Sequence, residues 1–178
     1  MNITNPNPHV DNMLSQTRNQ QLALSEIVDK KANMILAVSS GVITISLANL
    51  GKPSFRWTAL TLILCCLVSM ALAAYATMPK LSFHRKKGAR PDVDSSKFNI
   101  LYFDDFLKLD YPAFQQRMEQ LLNDTNLAYE AQVRELYTAG QYMAYRKYRF
   151  VRFAFVSLTT GFICAAIVFL ITDGWAGL

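Results

Sequence analysis

The sequence predicts an all-α integral membrane protein, with three transmembrane helices and two helices that extend into a small cytoplasmic domain. Three observations carry this. Residues 32–50 and 57–78 contain no charge, and residues 150–172 contain only Arg152, near the start. As helices these runs rise about 28 Å or more at about 1.5 Å per residue, close to the roughly 30 Å of hydrocarbon in a bilayer. Lysine and arginine are concentrated before the first run and between the second and third, which is the asymmetry that sets orientation in membranes.

The first run, 32–50, lacks the charged stripe that a soluble helix of its length carries at helical spacing. Its polar residues Ser39, Ser40, Thr44 and Ser46 are small hydroxyls, which a helix in lipid satisfies on its own carbonyls or on a neighbour. The second run opens on Trp57 and closes on Tyr75 and Pro79, residues of an interface. Only residues 51–56 separate the two, so 32–78 is predicted as a tight antiparallel hairpin. In the third run Arg152 lies where a long side chain snorkels back to the headgroups, and Trp175 marks the far interface. Three spans place the chain ends on opposite sides. With Arg18, Lys30 and Lys31 before the first span and twelve lysines and arginines within 79–149, the positive-inside rule puts the N-terminus and the long segment in the cytoplasm and Leu178 outside. The formal net charge of +5 is this asymmetry rather than a nucleic-acid footprint.

Residues 1–31 and 79–149 are left to build the cytoplasmic part. The N-terminus, "MNITNPNPHVDN", is polar and lacks the basic-then-apolar pattern of a signal peptide, so no cleavage is expected. Val10, Leu14, Leu24, Ile27 and Val28 lie among helix-favouring residues and predict a helix running on into the first span. "KLSFHRKKGARPDVDSS" reads as a loop near the membrane, whose cations suit lipid headgroups or a ligand. Residues 98–103, "FNILYF", fit either a short strand or the start of a helix. In "DYPAFQQRMEQLLND" Asp110 is placed for an N-cap and Pro112 for the first turn, with Phe114, Met118, Leu121 and Leu122 on one face.

From Asp124 a further helix is predicted to feed the third span, with Gly140 as its single breaker. Tyr129, Val133, Leu136, Gly140 and Met143 recur at spacings of four and three, a seam that fits a monomer core or a dimer contact equally. Gly140 there admits a second backbone. Asp29 lies three residues before the first span and Lys147 three before the third. Continuous helices therefore bring Asp29 level with Lys147 and Arg146, as a lock between two helices or as an interfacial switch pair.

Catalysis and metal binding find no support in this pattern. His9 and His84 stand far apart, Cys65, Cys66 and Cys164 all fall inside spans, and Asp104 and Asp105 read as a turn or cap. There is no glycine-rich phosphate loop and no nucleophile beside a base. A solute transporter is disfavoured because the spans lack central ionisable residues.

Taken in order along the chain, the motifs resemble one family. "DKKANMIL" is similar to an Asp-x-Lys-Ala signature, and "LAYEAQVRELYTAGQYMAYRKYRFVR" to a helix bearing Tyr-x-x-Gln, Tyr-x-x-Gly and Lys-Tyr-x-x-x-Arg, in the membrane effectors of the bacterial Pycsar anti-phage system. "FNILYFDDFLKLDYPAFQQRMEQLLND" is similar to the intervening segment of that family. The resemblance extends from about Asn19 to Ile171 and implies a function. In such systems a cyclase makes cyclic CMP or cyclic UMP on infection. The effector then impairs the bacterial inner membrane, so that growth arrest or cell death, an abortive infection, precedes phage maturation. A homo-oligomer in the lipid bilayer, activated by a cyclic pyrimidine mononucleotide and needing no cofactor, is the implied form. A small membrane scaffold that binds a protein partner without sensing a nucleotide is the alternative.

A cyclic pyrimidine nucleotide asks for a cation or helix N-terminus at its phosphate, a flat face for its base and one or two polar partners at the base edge. Lys31, Arg134 and Lys147 are the candidate phosphate ligands, Tyr129 and Tyr137 the candidate stacking or edge partners, and Arg85 and Arg90 the ends of a candidate clamp. For each, a structural role competes; an aromatic residue on a helical stripe such as Tyr129 is ordinarily core.

Overall fold

A computed structural model describes residues 8–78 and 98–172. Six α-helices occur among them: α1 (Pro8–Asn49), α2 (Arg56–Thr77), α3 (Phe103–Phe106), α4 (Tyr111–Asn123), α5 (Thr125–Tyr142) and α6 (Arg149–Thr172). A 3₁₀ turn, Pro53–Phe55, precedes α2, and a π-helical turn, Met143–Tyr148, joins α5 to α6. No strand is present among the described residues. Three helical stretches, Pro8–Asn49, Pro53–Thr77 and Thr125–Thr172, are long and apolar enough to cross a bilayer, and the chain is a multi-pass membrane protein. The described residues divide into two compact units, one of residues 8–23 with 98–142 and the other of residues 24–78 with 143–172.

The second of these, the membrane unit, packs α2 and α6 with the apolar part of α1. On α1 the buried positions are Val28, Ala32, Ile35, Ser39 and Ser46; on α2, Ala59, Cys66, Ser69, Ala73 and Ala76; on α6, Val151, Ala154, Gly161 and Ala165. These recur at spacings built from threes and fours, which keeps one narrow seam of each helix facing its partners. Nearly all are small. Lipid tails are as apolar as leucine, so burying large side chains gives helices in a membrane no advantage, whereas small residues allow close backbone approach and many dispersion contacts. The large side chains accordingly face outward, Ile45, Leu64 and Leu170 among them. One apolar cluster joins Val28, Ala32 and Ile35 of α1 to Ala73 and Ala76 of α2 and Val151 and Ala154 of α6. Phe55 stacks on Phe169 with ring centroids 5.6 Å apart, and Tyr75 meets Phe150 edge-on at 4.7 Å.

The close approach is most acute at Gly161. A Cβ placed there would lie 2.5 Å from Cys65 Cβ, and Ser157 Oγ on the preceding turn donates to the Cys65 carbonyl at 3.3 Å. The glycine of "SLTTG" thus serves packing inside one chain. Gly41 of "AVSSG" differs, with nothing within 4 Å of its missing Cβ. Cys65, Cys66 and Cys164 are free thiols.

The other unit, the polar unit, holds the first part of α1, the helices α3 to α5 and the turn before them. "FNILYF" is neither strand nor regular helix up to Tyr102, because Asn99 folds it: its Oδ1 accepts from Leu101 N at 3.1 Å and its Nδ2 donates to the Ala131 carbonyl at 3.2 Å. Asp105 Oδ2 accepts from Asn99 N at 3.1 Å, and its Oδ1 pairs with Lys108 at 2.7 Å, so this carboxylate is a turn clamp. Asp110 occupies the N-cap position of α4, with Pro in the first turn as the sequence predicts, yet its side chain makes no capping bond. Phe114, Met118 and Leu121 of α4 are half-buried while Leu122 is 76 % exposed, a correction to the predicted face: adjacent helical residues point about 100° apart, and the stripe takes only one of them. Asp124 caps α5, its Oδ1 accepting from Asn126 N and Leu127 N.

Candidate functional site

Candidate residues fall in both units. In the membrane unit the π-turn carries Arg146 and Lys147 in sequence, and the two cations part company. Lys147 Nζ donates to Asp29 Oδ1 at 2.9 Å, Asp29 Oδ2 at 2.7 Å and Ser25 Oγ at 2.8 Å. Its side chain is 15 % exposed and that of Asp29 39 %. An ammonium has three N–H donors, and all three are engaged here by α1. Arg146 instead turns to α2, donating to Tyr75 OH at 3.0 Å with its guanidinium 5.1 Å from that ring's centre. Of the two partners the sequence offered Asp29, only Lys147 takes the role.

Ser25 and Asp29 are one turn apart on α1, so they present a hydroxyl and a carboxylate on one face. A π-turn spaces side chains differently from an α-helix and is often found where a side chain has to be aimed. It follows Gly140, the breaker the sequence identified, by three residues, but nothing in the composition of "MAYRKY" marked it. Below it on α6, Arg149 lies 5.7 Å from the ring centre of Phe153.

In the polar unit α1 and α5 meet through polar groups. Tyr129 OH donates to Asp11 Oδ1 at 2.6 Å, Arg18 pairs with Glu135 at 3.2 Å, and Gln21 Nε2 donates to the Leu136 carbonyl at 3.1 Å. The stripe expected on α5 is therefore filled within one chain at Tyr129, which is buried, while Val133 remains exposed. At Gly140 the neighbour is the Gln21 amide, 3.5 Å from a hypothetical Cβ, rather than a second backbone. Arg134 donates to the Phe98 carbonyl at 3.1 Å and to Glu130 at 2.7 Å, tying the "FNILYF" turn to α5.

Among the candidate ligands, Tyr129, Arg134 and Lys147 thus already hold partners. Lys31 is exposed on α1, and Tyr137 is exposed with Gln141 Nε2 donating to its hydroxyl at 2.7 Å. The structure does not bring these five to one point within either unit. Arg85 and Arg90 lie outside the described residues.

The bond to Asp11, followed by burial and then the Asp11 charge, raises the Tyr129 hydroxyl above its ordinary value near 10. A raised folded value means that the contact stabilises fully below about pH 10 and is lost as pH climbs through the folded pKa. In Asp11→Ala, tyrosinate absorbance should show Tyr129 titrating at lower pH than in the wild type. An unchanged titration would remove the Asp11 bond.

Groups of three or more His, Cys, Asp or Glu able to hold a metal ion are absent among the described residues. No curated protein and no solved structure matches the chain. A family model does: the Pycsar effector protein domain matches residues 12–172, which hold all but the first four residues of the three long apolar helical stretches and include the Asp29–Lys147 pair at the polar end of the apolar run of α1, and the chain belongs to that family of membrane effectors.

Proposed function

We propose that this Pycsar effector senses a cyclic pyrimidine mononucleotide, cyclic CMP or cyclic UMP, and responds by impairing the inner membrane, which stops growth of the infected cell. The observation that supports this reading best is the Lys147 site. An anionic cyclic phosphate can take the place of the Asp29 carboxylate on an ammonium held at the polar end of the bundle. Exchange of one anion for another releases Asp29 from Lys147 and frees α1 from the π-turn there. Lys31, exposed on α1 in the same unit, is a cation able to add a second phosphate contact.

Helix continuity supplies the route from binding to the bilayer. Residues Thr125–Thr172 run as one helical stretch, and α1 is unbroken from Pro8 to Asn49. A shift from about one per cent to ninety-nine per cent active requires a ligand that favours the active state by about 5.5 kcal/mol, within reach of a charge-assisted phosphate contact and a stacked base. In an oligomer each copy adds its own ligand. The lysines and arginines of 79–149 favour a cytoplasmic location for that segment and for the N-terminus, with Leu178 outside.

The test is liposomes bearing purified protein in known orientation. Cyclic CMP or cyclic UMP, added to the face that carries residues 79–149, should release an entrapped dye and shift the protein to larger assemblies, whereas cyclic AMP should do neither. Binding without leakage or change of assembly would overturn membrane impairment in favour of nucleotide-gated partner recruitment. Absence of binding would leave the scaffold.

A further inference from the structure

Most hydroxyls of the membrane unit fall into two sets, while Thr58 Oγ1, in the first turn of α2, is also buried without a partner among the described residues. Those on exposed positions bond to their own helix: Ser40 to the Ala37 carbonyl, Thr44 to Ser40, Thr159 to Phe155 and Thr160 to Val156. A lipid-facing hydroxyl satisfied in this way costs the helix little. Those turned into the seam behave differently. Ser69, fully buried, donates across to the Ala154 carbonyl of α6 at 2.7 Å. Ser46 is 5 % exposed. Ser39, at 0 % exposure, has no hydrogen-bond partner for its Oγ among the described residues.

Ser39 lies one turn beyond Ile35 on α1, and Ser69 one turn before Ala73 on α2. Ile35 and Ala73 share one cluster and the two helices form an antiparallel hairpin, so Ser39 and Ser69 come at the same level of the bundle. The carbonyl of Ile35, four residues back, is the usual acceptor for a serine in a membrane helix, and Ser39 does not use it. A buried polar atom without a partner calls for a reason beyond packing, since alanine would fill the same space without the unmet bond. In the arrangement seen, Ser39, Ser69, Ala32, Ala73 and Ala154 are wholly buried, and α2 and α6 meet closely at Gly161. Water reaches Ser39 and Ser69 only if the helices part.

We propose that the inner seam bearing Ser39, Ser46 and Ser69 becomes the water-facing lining of the permeation path in the active effector, its ligand being water and the small ions that water carries. The proposal rests on the membrane-impairing function above and assigns that function a surface. Helices that separate in hydrocarbon expose either the outer leucines and isoleucines or this seam to water, and only the seam offers hydroxyl donors and acceptors. Its small side chains also leave a wider opening than leucine or isoleucine would.

The experiment places single cysteines in a Cys65→Ala, Cys66→Ala, Cys164→Ala background, at Ser39, at Ser69 and, as a lipid-facing control, at Ile45, which is 67 % exposed. Liposomes bearing each variant receive a membrane-impermeant thiol reagent, with and without cyclic CMP or cyclic UMP, while dye release is followed. Ser39→Cys and Ser69→Cys should react up to about a hundredfold faster with nucleotide, as a shift from one to ninety-nine per cent active implies, with Ile45→Cys inert throughout. Leakage without faster labelling at 39 and 69 overturns the seam and leaves the function standing. No leakage in the cysteine-free parent and in the wild type overturns both. Ser39→Ala supplies a second reading that needs no reagent: it should fold at least as stably as the wild type, having lost only an unmet bond, yet release dye several-fold more slowly. Unchanged release in Ser39→Ala also counts against the seam.

Discussion

Asp29→Ala is expected to lower the unfolding free energy of the detergent-solubilised protein by about 2–3 kcal/mol. Removing one partner of a buried pair costs about 3–5 kcal/mol because a desolvated charge is left alone, and the partial exposure of Asp29 lets water offset some of that here. Lys147 would keep only Ser25 among its three acceptor atoms. Lys147→Met added to Asp29→Ala should recover much of the loss, since the orphaned ammonium is what makes the single change expensive. Glu119→Ala, at an exposed position of α4, is the control and should change stability by less than about 0.5 kcal/mol. A double-mutant cycle from denaturant or thermal unfolding measures the coupling. A coupling energy near zero between positions 29 and 147 would refute the pair. In liposomes the same Asp29→Ala variant separates a switch from a lock. If the carboxylate holds Lys147 in the resting state, dye escapes without nucleotide; if the pair only fastens α1 in place, no dye escapes and the nucleotide response stays.

Gly161→Ala should destabilise the membrane unit by about 1–3 kcal/mol, the range for adding a methyl to a filled core, and Gly161→Val by more. The new Cβ would stand 2.5 Å from Cys65 Cβ and 3.8 Å from Cys65 Cα, so a helix has to move rather than a flexible side chain. Such a shift also disturbs the Ser157 bond to the Cys65 carbonyl. Cys65→Gly in the same chain removes the obstructing atom and should restore most of the stability, less the roughly 1 kcal/mol that glycine costs inside a helix. Gly41→Ala, with open space around the added methyl, should not lower stability at all. Equal stability of Gly161→Ala and wild type, read from unfolding in detergent, would disprove the close packing of α2 on α6.

Length, composition and local chain direction settle several features before any two distant residues meet. A run as long as the bilayer is thick, without charge, is a span whatever surrounds it, which is why three membrane-crossing helices were legible. The Asp29–Lys147 pair was legible for a related reason: two helices entering the apolar region together put residues equally distant from it at one depth. The family motifs were legible because they lie in order along the chain. Partner choice was another matter. Arg146 and Lys147 are neighbours of like charge, and only the π-turn and the positions of Tyr75 and Asp29 send one to α2 and the other to α1. The glycines of "AVSSG" and "SLTTG" look alike in the sequence, yet Gly161 is closed by Cys65 from another helix while Gly41 faces open space. Ser39 and Ser40 are the same residue one position apart, and a rotation of about 100° leaves one unbonded in the seam and the other bonded to its own helix. Which face of a helix is buried depends on atoms far away in the chain, and those only the tertiary structure brings near.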